Sequence, residues 1–292
     1  MDPTRRLPAD LAARARAYAG GDGVPAQPRD ASTVVLLRAG DGEPGGLQVY
    51  LLRRHVDMAF AAGRCVFPGG GVDHRDFDAE IGWEGPAPAR WAALLGTDEA
   101  LARALVCAAV RETFEESGVL LAGPTSSSVV ADTTGEDWEA DRRALESRDL
   151  PFTEFLASRG LLLRTDLLRL WGSWVTPVFE PRRFDTRFFV AELPPGQATR
   201  DVSTESDSVD WVPVREAIRA VDAGRMLMLP PTYCTCLELF DFVQPPDVLA
   251  AALDREPTVV EPEAQVRPDG AYLHIPDRLV ALSRDVAARL PA

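Results

Sequence analysis

The stretch Arg111-Glu112-Thr113-Phe114-Glu115-Glu116-Ser117-Gly118-Val119 constrains this chain more than any other. Apolar residues upstream, at Leu101, Leu105, Val106, Ala109, Val110 and Phe114, recur with helical spacing. Thr97 or Asp98 can cap the start and Gly118 can stop the end, so a helix is expected from about Glu99 to Ser117. On it, Glu112, Glu115 and Glu116 stand at i, i+3 and i+4, hence on one face. Three carboxylates so placed repel one another unless cations lie between them. A solvated acidic face is one reading. The other is a site for hard divalent ions with oxygen ligands. Two features favour the second: the helix is otherwise apolar and therefore packed, and RCVFPGGG at 64–71, which reads as a short strand breaking into a glycine loop, lies ahead of it.

The chain of 292 residues can bury a substantial core without staples. It is 46% hydrophobic and 26% charged, a globular composition, and its net charge of −14 disfavours general nucleic-acid or anionic-membrane binding. A small anionic substrate remains compatible if local arginines or bound cations supply positive field. The chain contains no lysine, which excludes a P-loop lysine, a Schiff-base lysine and a Ser–Lys dyad. No G-x-S-x-G elbow is present either. Cys65, Cys107, Cys234 and Cys236 form no C-x-x-C pair, and Cys234-Thr235-Cys236 reads as buried small hydrophobes. His55 and His74 read as structural or exposed. The first residues carry no apolar h-region and no run of about 18 apolar residues occurs, so a soluble cytoplasmic protein with reduced thiols is expected.

Along the chain, STVVLLR (32–38) and LQVYLLRR (47–54) read as a hairpin. A helix is expected near Pro88–Leu95. Helical periodicity covers 136–170, strands follow at 173–178, 182–193 and 208–214, and helices at 214–223 and 231–240. Mixed strands flanked by helices indicate an α+β fold in an α/β/α layer arrangement. The organisation is a lead-in over 1–30, a catalytic-type domain over 31–243 and a Pro-rich C-terminal extension over 244–292. Two segments inside the domain, 72–98 and a helical 132–170, read as insertions.

These motifs resemble the Nudix hydrolases, whose box reads G-x5-E-x7-R-E-U-x-E-E-x-G-U with U aliphatic. Arg111, Glu112, Glu115, Glu116, Gly118 and Val119 match its second half, with Thr113 at a U position, and Phe67-Pro68-Gly69-Gly70 matches its F-P-G-G lead-in. Gly70 to Arg111 spans 41 positions against the family's 14, so about 27 residues are inserted within the box. The family's first Glu is not found where expected: six after Gly70 lies Asp76, and eight before Arg111 lies Arg103. Leu51, Arg54, Gly63 and Phe67 to Gly70 keep the spacing of a motif found upstream of the box in coenzyme A-cleaving members. His55 replaces its small residue and Ala59 its second Arg. The long insertion, TFEESGVLL, SWVTP and RRFDTRFF further resemble the peroxisomal-type coenzyme A diphosphatases.

The resemblance implies a Nudix fold, with a mixed β-sheet sandwiched between helices, a helical insertion and the C-terminal extension. It also implies hydrolysis of a diphosphate linkage with Mg²⁺ or Mn²⁺. Glu112 and Glu116 would be metal ligands, Glu115 a ligand or catalytic group, and Arg111 would hold carboxylate orientation. Glu205 is the candidate for a later carboxylate acting as ligand or base; an acidic loop residue is the alternative. Arg54, Gly69, Gly70, Arg183 and Arg187 are the substrate-binding candidates, although Arg183 and Arg187 suit edge-strand ion pairing with Asp185 equally well. The box insertion is expected over the substrate side, with Trp83 and Trp91 either covering substrate or filling a satellite core. The partner is then a small-molecule diphosphate, with no membrane and with homodimerisation left open. Coenzyme A or an acyl ester is the first expectation. ADP-ribose, another nucleotide sugar, a dinucleotide or capped RNA is the second, and a non-catalytic binding module the third.

Overall fold

A computed structural model describes residues 6–21, 24–40, 46–56, 58, 61–78 and 80–290; Ala59 falls outside them. In chain order the elements are α1 (Ala9–Ala19), β1 (Arg29–Ala39), β2 (Leu47–Arg54), β3 (Cys65–Val66), β4 (Gly69–Gly71), a 3₁₀ turn (His74–Phe77), β5 (Trp83–Glu84), α2 (Pro88–Leu95), α3 (Glu99–Ser117) and β6 (Ala122–Gly123). They continue with α4 (Glu136–Glu146), α5 (Phe152–Ser158), β7 (Leu162–Arg164), a second 3₁₀ turn (Thr165–Leu167), β8 (Arg169–Val175), β9 (Phe184–Glu192), β10 (Ser206–Pro213), α6 (Val214–Asp222) and α7 (Pro230–Glu238). The last elements are α8 (Pro245–Asp254), β11 (Val259–Val260), β12 (Glu263–Arg267), β13 (Gly270–His274) and α9 (Asp277–Arg289).

A mixed sheet in the order β10-β2-β1-β9-β8-β11 forms the middle layer, with β3 paired to β2 and β4 to β1. β1 and β9 run parallel, whereas β1–β2 and β8–β9 are antiparallel. Period-two alternation sends neighbouring residues to opposite faces. Val35, Leu37, Phe188 and Val190 meet α1, α6, α7, α8 and α9. Val34, Leu36, Phe189 and Ala191 meet the layer of α2, α3 and α5. The result is an α+β sandwich.

Helix α3 has the expected bounds for the expected reasons. The Asp98 carboxylate accepts from Leu101 N at 2.8 Å, and Gly118 ends the helix at φ 74°. Such a left-handed stop is the commonest use of glycine after a helix. Ser32 of β1 donates to Leu105 O at 2.6 Å and fixes α3 on the sheet.

Two expectations are corrected. Helical periodicity through Leu170 stops at Ser158. The apolar run Leu167–Trp171 suits a buried strand as well as a helix, and antiparallel pairing with β9 makes it β8. The glycines at 69–71 are not a free loop but strand β4, paired to Ala31, Ser32 and Thr33. The tail after 244 supplies α8, β11, β12, β13 and α9, and its Val248, Ala252, Val260, Ile275, Leu279 and Val286 are buried in the same core as the sheet.

Candidate active site

The carboxylate end of α3 abuts β4. Gly69 N donates to Glu116 Oε2 at 2.8 Å. A Cβ on Gly70 would lie 2.5 Å from the Glu112 carboxylate, and one on Gly69 would lie 2.4 Å from Ser32 O. Glycine is therefore required at both positions by close approach.

Arg111 stands among the acids. Its Nε and Nη2 donate to Asp76 at 3.0 and 2.9 Å, a fork-to-fork pair. Its Nη1 donates to Glu112 at 2.8 Å and to Glu115 at 3.2 Å, and Nη2 also reaches Gly71 O at 3.0 Å. Asp76 is 2% exposed, so this is a buried pair. The position that holds the family's first Glu is thus filled by an Asp that performs an ionic role at the box, bonded to the box Arg. Asp73, Arg75 and Asp76, within the expected insertion, thus lie at the site.

One arginine does not neutralise this cluster. Burial, and then repulsion from Glu112, pushes Glu115 up to about 7. Burial, and then Glu112, holds Glu116 well above the usual carboxylate range, against the Gly69 N–H and Arg54. Burial also raises Glu112, against Arg111. Among the described residues no three His, Cys, Asp or Glu side chains are already gathered in metal-ligating geometry, since Arg111 Nη1 lies between Glu112 and Glu115. The donor set nonetheless fits a hard divalent ion: all oxygens, close together, desolvated and held in surplus over the local cations.

These side chains line a cleft of about 650 Å³ that opens to solvent. Glu205 lines it too, brought there where β10 pairs with β2: His55 N donates to Glu205 O at 3.0 Å and Arg54 Nη2 reaches Glu205 Oε2 at 2.7 Å. The structure therefore brings together Glu112, Glu115, Glu116, Arg111, Glu205, Arg54, Gly69 and Gly70. It does not bring Arg183 or Arg187 to the cleft. Arg183 donates to Thr176 O, Ala26 O and Glu261, tying the lead-in and the tail to β9. Arg187 pairs with Asp185 and faces Asp30 at the end of the sheet. Local carboxylates and carbonyls on the same sheet end outcompete a distant ligand.

The box insertion divides. Asp73, Arg75 and Asp76 line the cleft, but Trp91 is buried against Phe189 at 5.7 Å, and Trp83 donates to Pro86 O beneath Arg103. Both tryptophans are core, not substrate cover. Cleft residues that sequence reasoning missed are Asp73, Arg75, Glu146, Arg148 and Ser203. Asp73 and Arg75 flank an Asp at box spacing, which was a usable signal. Glu146 and Arg148 reach the cleft only through tertiary packing of α4.

Similarity to other proteins agrees with this geometry. The family of the NUDT19 Nudix domain matches residues 95–239. The acyl-coenzyme A diphosphatase NUDT19 of Xenopus laevis is 25% identical over 234 residues, covering 67% of this chain and 60% of that protein. The acyl-coenzyme A diphosphatase NUDT19 of Gallus gallus is 26% identical over 276 residues, covering 78% and 72%. A Nudix hydrolase crystal structure from Alicyclobacillus acidocaldarius superposes with a TM-score of 0.66 at 26% identity, covering 77% of this chain and 96% of that one. Fold and box together make this a Nudix-fold protein. Within that class its sequence is similar to the NUDT19-type Nudix hydrolases. It spans about 60% of the length of the Xenopus relative.

Proposed function

We propose that this protein is a metal-dependent diphosphohydrolase that cleaves the diphosphate of coenzyme A or an acyl ester of it. The observation that carries the chemistry is the desolvated, incompletely neutralised trio Glu112, Glu115 and Glu116 facing an open cleft. The substrate class rests on the NUDT19 relatives and on Arg54, Gly63 and Phe67 to Gly70 in coenzyme A-motif spacing.

Glu112 and Glu116 would hold Mg²⁺ or Mn²⁺, with Glu115 as a further donor. The bound cation neutralises phosphate oxygens and lowers the pKa of the attacking water. Everything else falls to the chain. Arg111, clamped by Asp76, fixes the rotamers of Glu112 and Glu115, an outer interaction of the kind that orients ligating carboxylates. β4 closes one side of the site and its Gly69 N–H orients Glu116. Glu205, half-exposed and held by Arg54, is the group placed to take the proton from water. Water oxygen adds to one phosphorus, the bridging P–O bond breaks, and the leaving phosphate departs with the electron pair. The products are a 4′-phosphopantetheine species and adenosine 3′,5′-bisphosphate.

The test is incubation of the purified protein with coenzyme A, dephospho-coenzyme A, ADP-ribose and a dinucleoside polyphosphate at equal concentration, with Mg²⁺ or Mn²⁺. Product masses identify the cleaved bond. Preferential cleavage of coenzyme A is expected. A preference of tenfold or more, about 1.4 kcal/mol, for ADP-ribose or a dinucleotide contradicts the substrate assignment.

A further inference from the structure

Part of the cleft lining comes from the α4–α5 turn, which no box motif describes. Arg148 sits there. It is one of two described non-glycine residues with a positive φ, at 65°, and it occupies the position after α4 where the chain turns left-handed. Helices that end this way usually place glycine there, because a Cβ is strained. A strained non-glycine residue at a cleft is an outlier that calls for a functional hypothesis.

Its side chain is also uncommitted. Seven carboxylates and three guanidiniums line the cleft, so a polyanionic substrate meets a net negative surface. Arg111 is spent on Asp76, Glu112 and Glu115. Arg75 is held by both oxygens of Asp73 and by Arg148 O. Arg148 is 78% exposed, and its one ion pair is a 3.9 Å approach to Asp73. With no lysine in the chain, Arg148 is the one basic side chain among the described cleft-lining residues left available to an anion. The bond from Arg75 to Arg148 O holds the turn in place, so the backbone that presents the guanidinium is itself anchored to the box insertion.

We propose that Arg148 binds a phosphate monoester of the substrate that lies away from the scissile diphosphate. This rests on the diphosphohydrolase reading above. The scissile oxygens belong at the carboxylate end, where the cation would sit, and Arg148 lines the same cleft from another element, as do Leu150 and Phe152. In coenzyme A the group of that chemistry is the 3′-phosphate.

The test is calorimetric binding of adenosine 3′,5′-bisphosphate and adenosine 5′-monophosphate to the intact protein, to Arg148→Gly and to Arg148→Gln, with thermal melts of each. The wild type is expected to prefer the bisphosphate by about tenfold or more, and both variants to lose most of that preference. Arg148→Gly should melt at or above the wild-type temperature, because glycine fits φ 65° without strain. Arg148→Gln keeps the strain and separates loss of charge from relief of the backbone. The proposal is overturned if the wild type shows no preference, if either variant keeps it, or if both ligands weaken equally, since Arg148 would then contact a shared phosphate. Lost preference in a protein that does not cleave coenzyme A sinks the functional reading alone. Cleavage of coenzyme A with the preference intact in the variants sinks this proposal alone.

Discussion

At the residue scale the account rests on charge in a confined space. Glu116 is buried, faces Glu112, and receives one backbone N–H. Glu116→Gln removes a ligand charge and also a repulsion. We expect turnover to fall by about three orders of magnitude, the several kcal/mol a bound cation supplies. The melting temperature without metal should be unchanged or higher, and the upward shift on adding Mg²⁺ or Mn²⁺ should vanish. A variant that keeps near wild-type turnover at saturating metal would show the metal site is elsewhere. Asp76 offers a second test. Asp76→Ala leaves the Arg111 guanidinium buried without its forked partner, a change that costs about 3–5 kcal/mol. Denaturant titration should show that loss, and Asp76→Glu, which restores the carboxylate, should recover much of it. The trio and Arg111 were legible in the sequence because helical spacing alone puts them together. The partner of Arg111 was not, because 35 positions separate it from Asp76 and only β4 and the 3₁₀ turn bring them into contact.

At the element scale, α4 is the piece that joins the helical insertion to the site. Buried Arg142 donates to Glu139, to Glu146 and to Glu115 O at the end of α3, while Glu146 accepts from Thr204 beside Glu205. Arg142 holds Glu139 below the usual carboxylate range, and contacts from Thr204 and Arg142 outweigh burial to hold Glu146 below it. A carboxylate depressed in the folded state stabilises above its unfolded pKa of about 4.3, and that stability is lost as pH falls through the folded value. The contribution of Glu139 and Glu146 should therefore be lost below about pH 4.3, and Arg142→Met should lose less stability there than the wild type; denaturant midpoints of the two proteins between pH 5 and pH 3 measure the difference. Equal slopes in the two proteins would remove Arg142 from this role. Strand β8 shows why periodicity reached its limit in this region. A short apolar run fits helix and buried strand alike, and only the partner strand β9 decides between them.

At the scale of the whole molecule, the sheet is covered on both faces, and the tail shares the cover on one face with α1, α6 and α7. Val248, Ala252, Val260, Ala271, Leu273, Ile275, Leu279 and Val286 are buried there. Burying one large apolar side chain contributes about 1.5–3 kcal/mol, and net domain stability is about 5–15 kcal/mol. A chain ended at Phe242 should consequently fail to fold, seen as loss of the cooperative thermal transition. A soluble, cooperatively melting truncation would show the tail to be dispensable. The fold class, the β1–β2 hairpin, α2, α3, β9, β10, α6 and α7 were readable from alternation and capping. The tail was not, because its helices start at Pro245 and Asp277 with short apolar faces that gain meaning only against the sheet. No helix among the described residues is long and apolar enough to cross a membrane.

The central claim is that the carboxylate end of α3 is a metal-dependent diphosphate-cleaving centre. The most direct measurement is mass-resolved hydrolysis of coenzyme A in water enriched in ¹⁸O, with and without Mg²⁺ or Mn²⁺, for wild type and Glu116→Gln. The account predicts metal-dependent release of adenosine 3′,5′-bisphosphate and 4′-phosphopantetheine by the wild type, with one ¹⁸O in one product and neither formed by the variant. Cleavage that persists in Glu116→Gln, or wild-type protein that leaves every diphosphate intact with metal present, would contradict it.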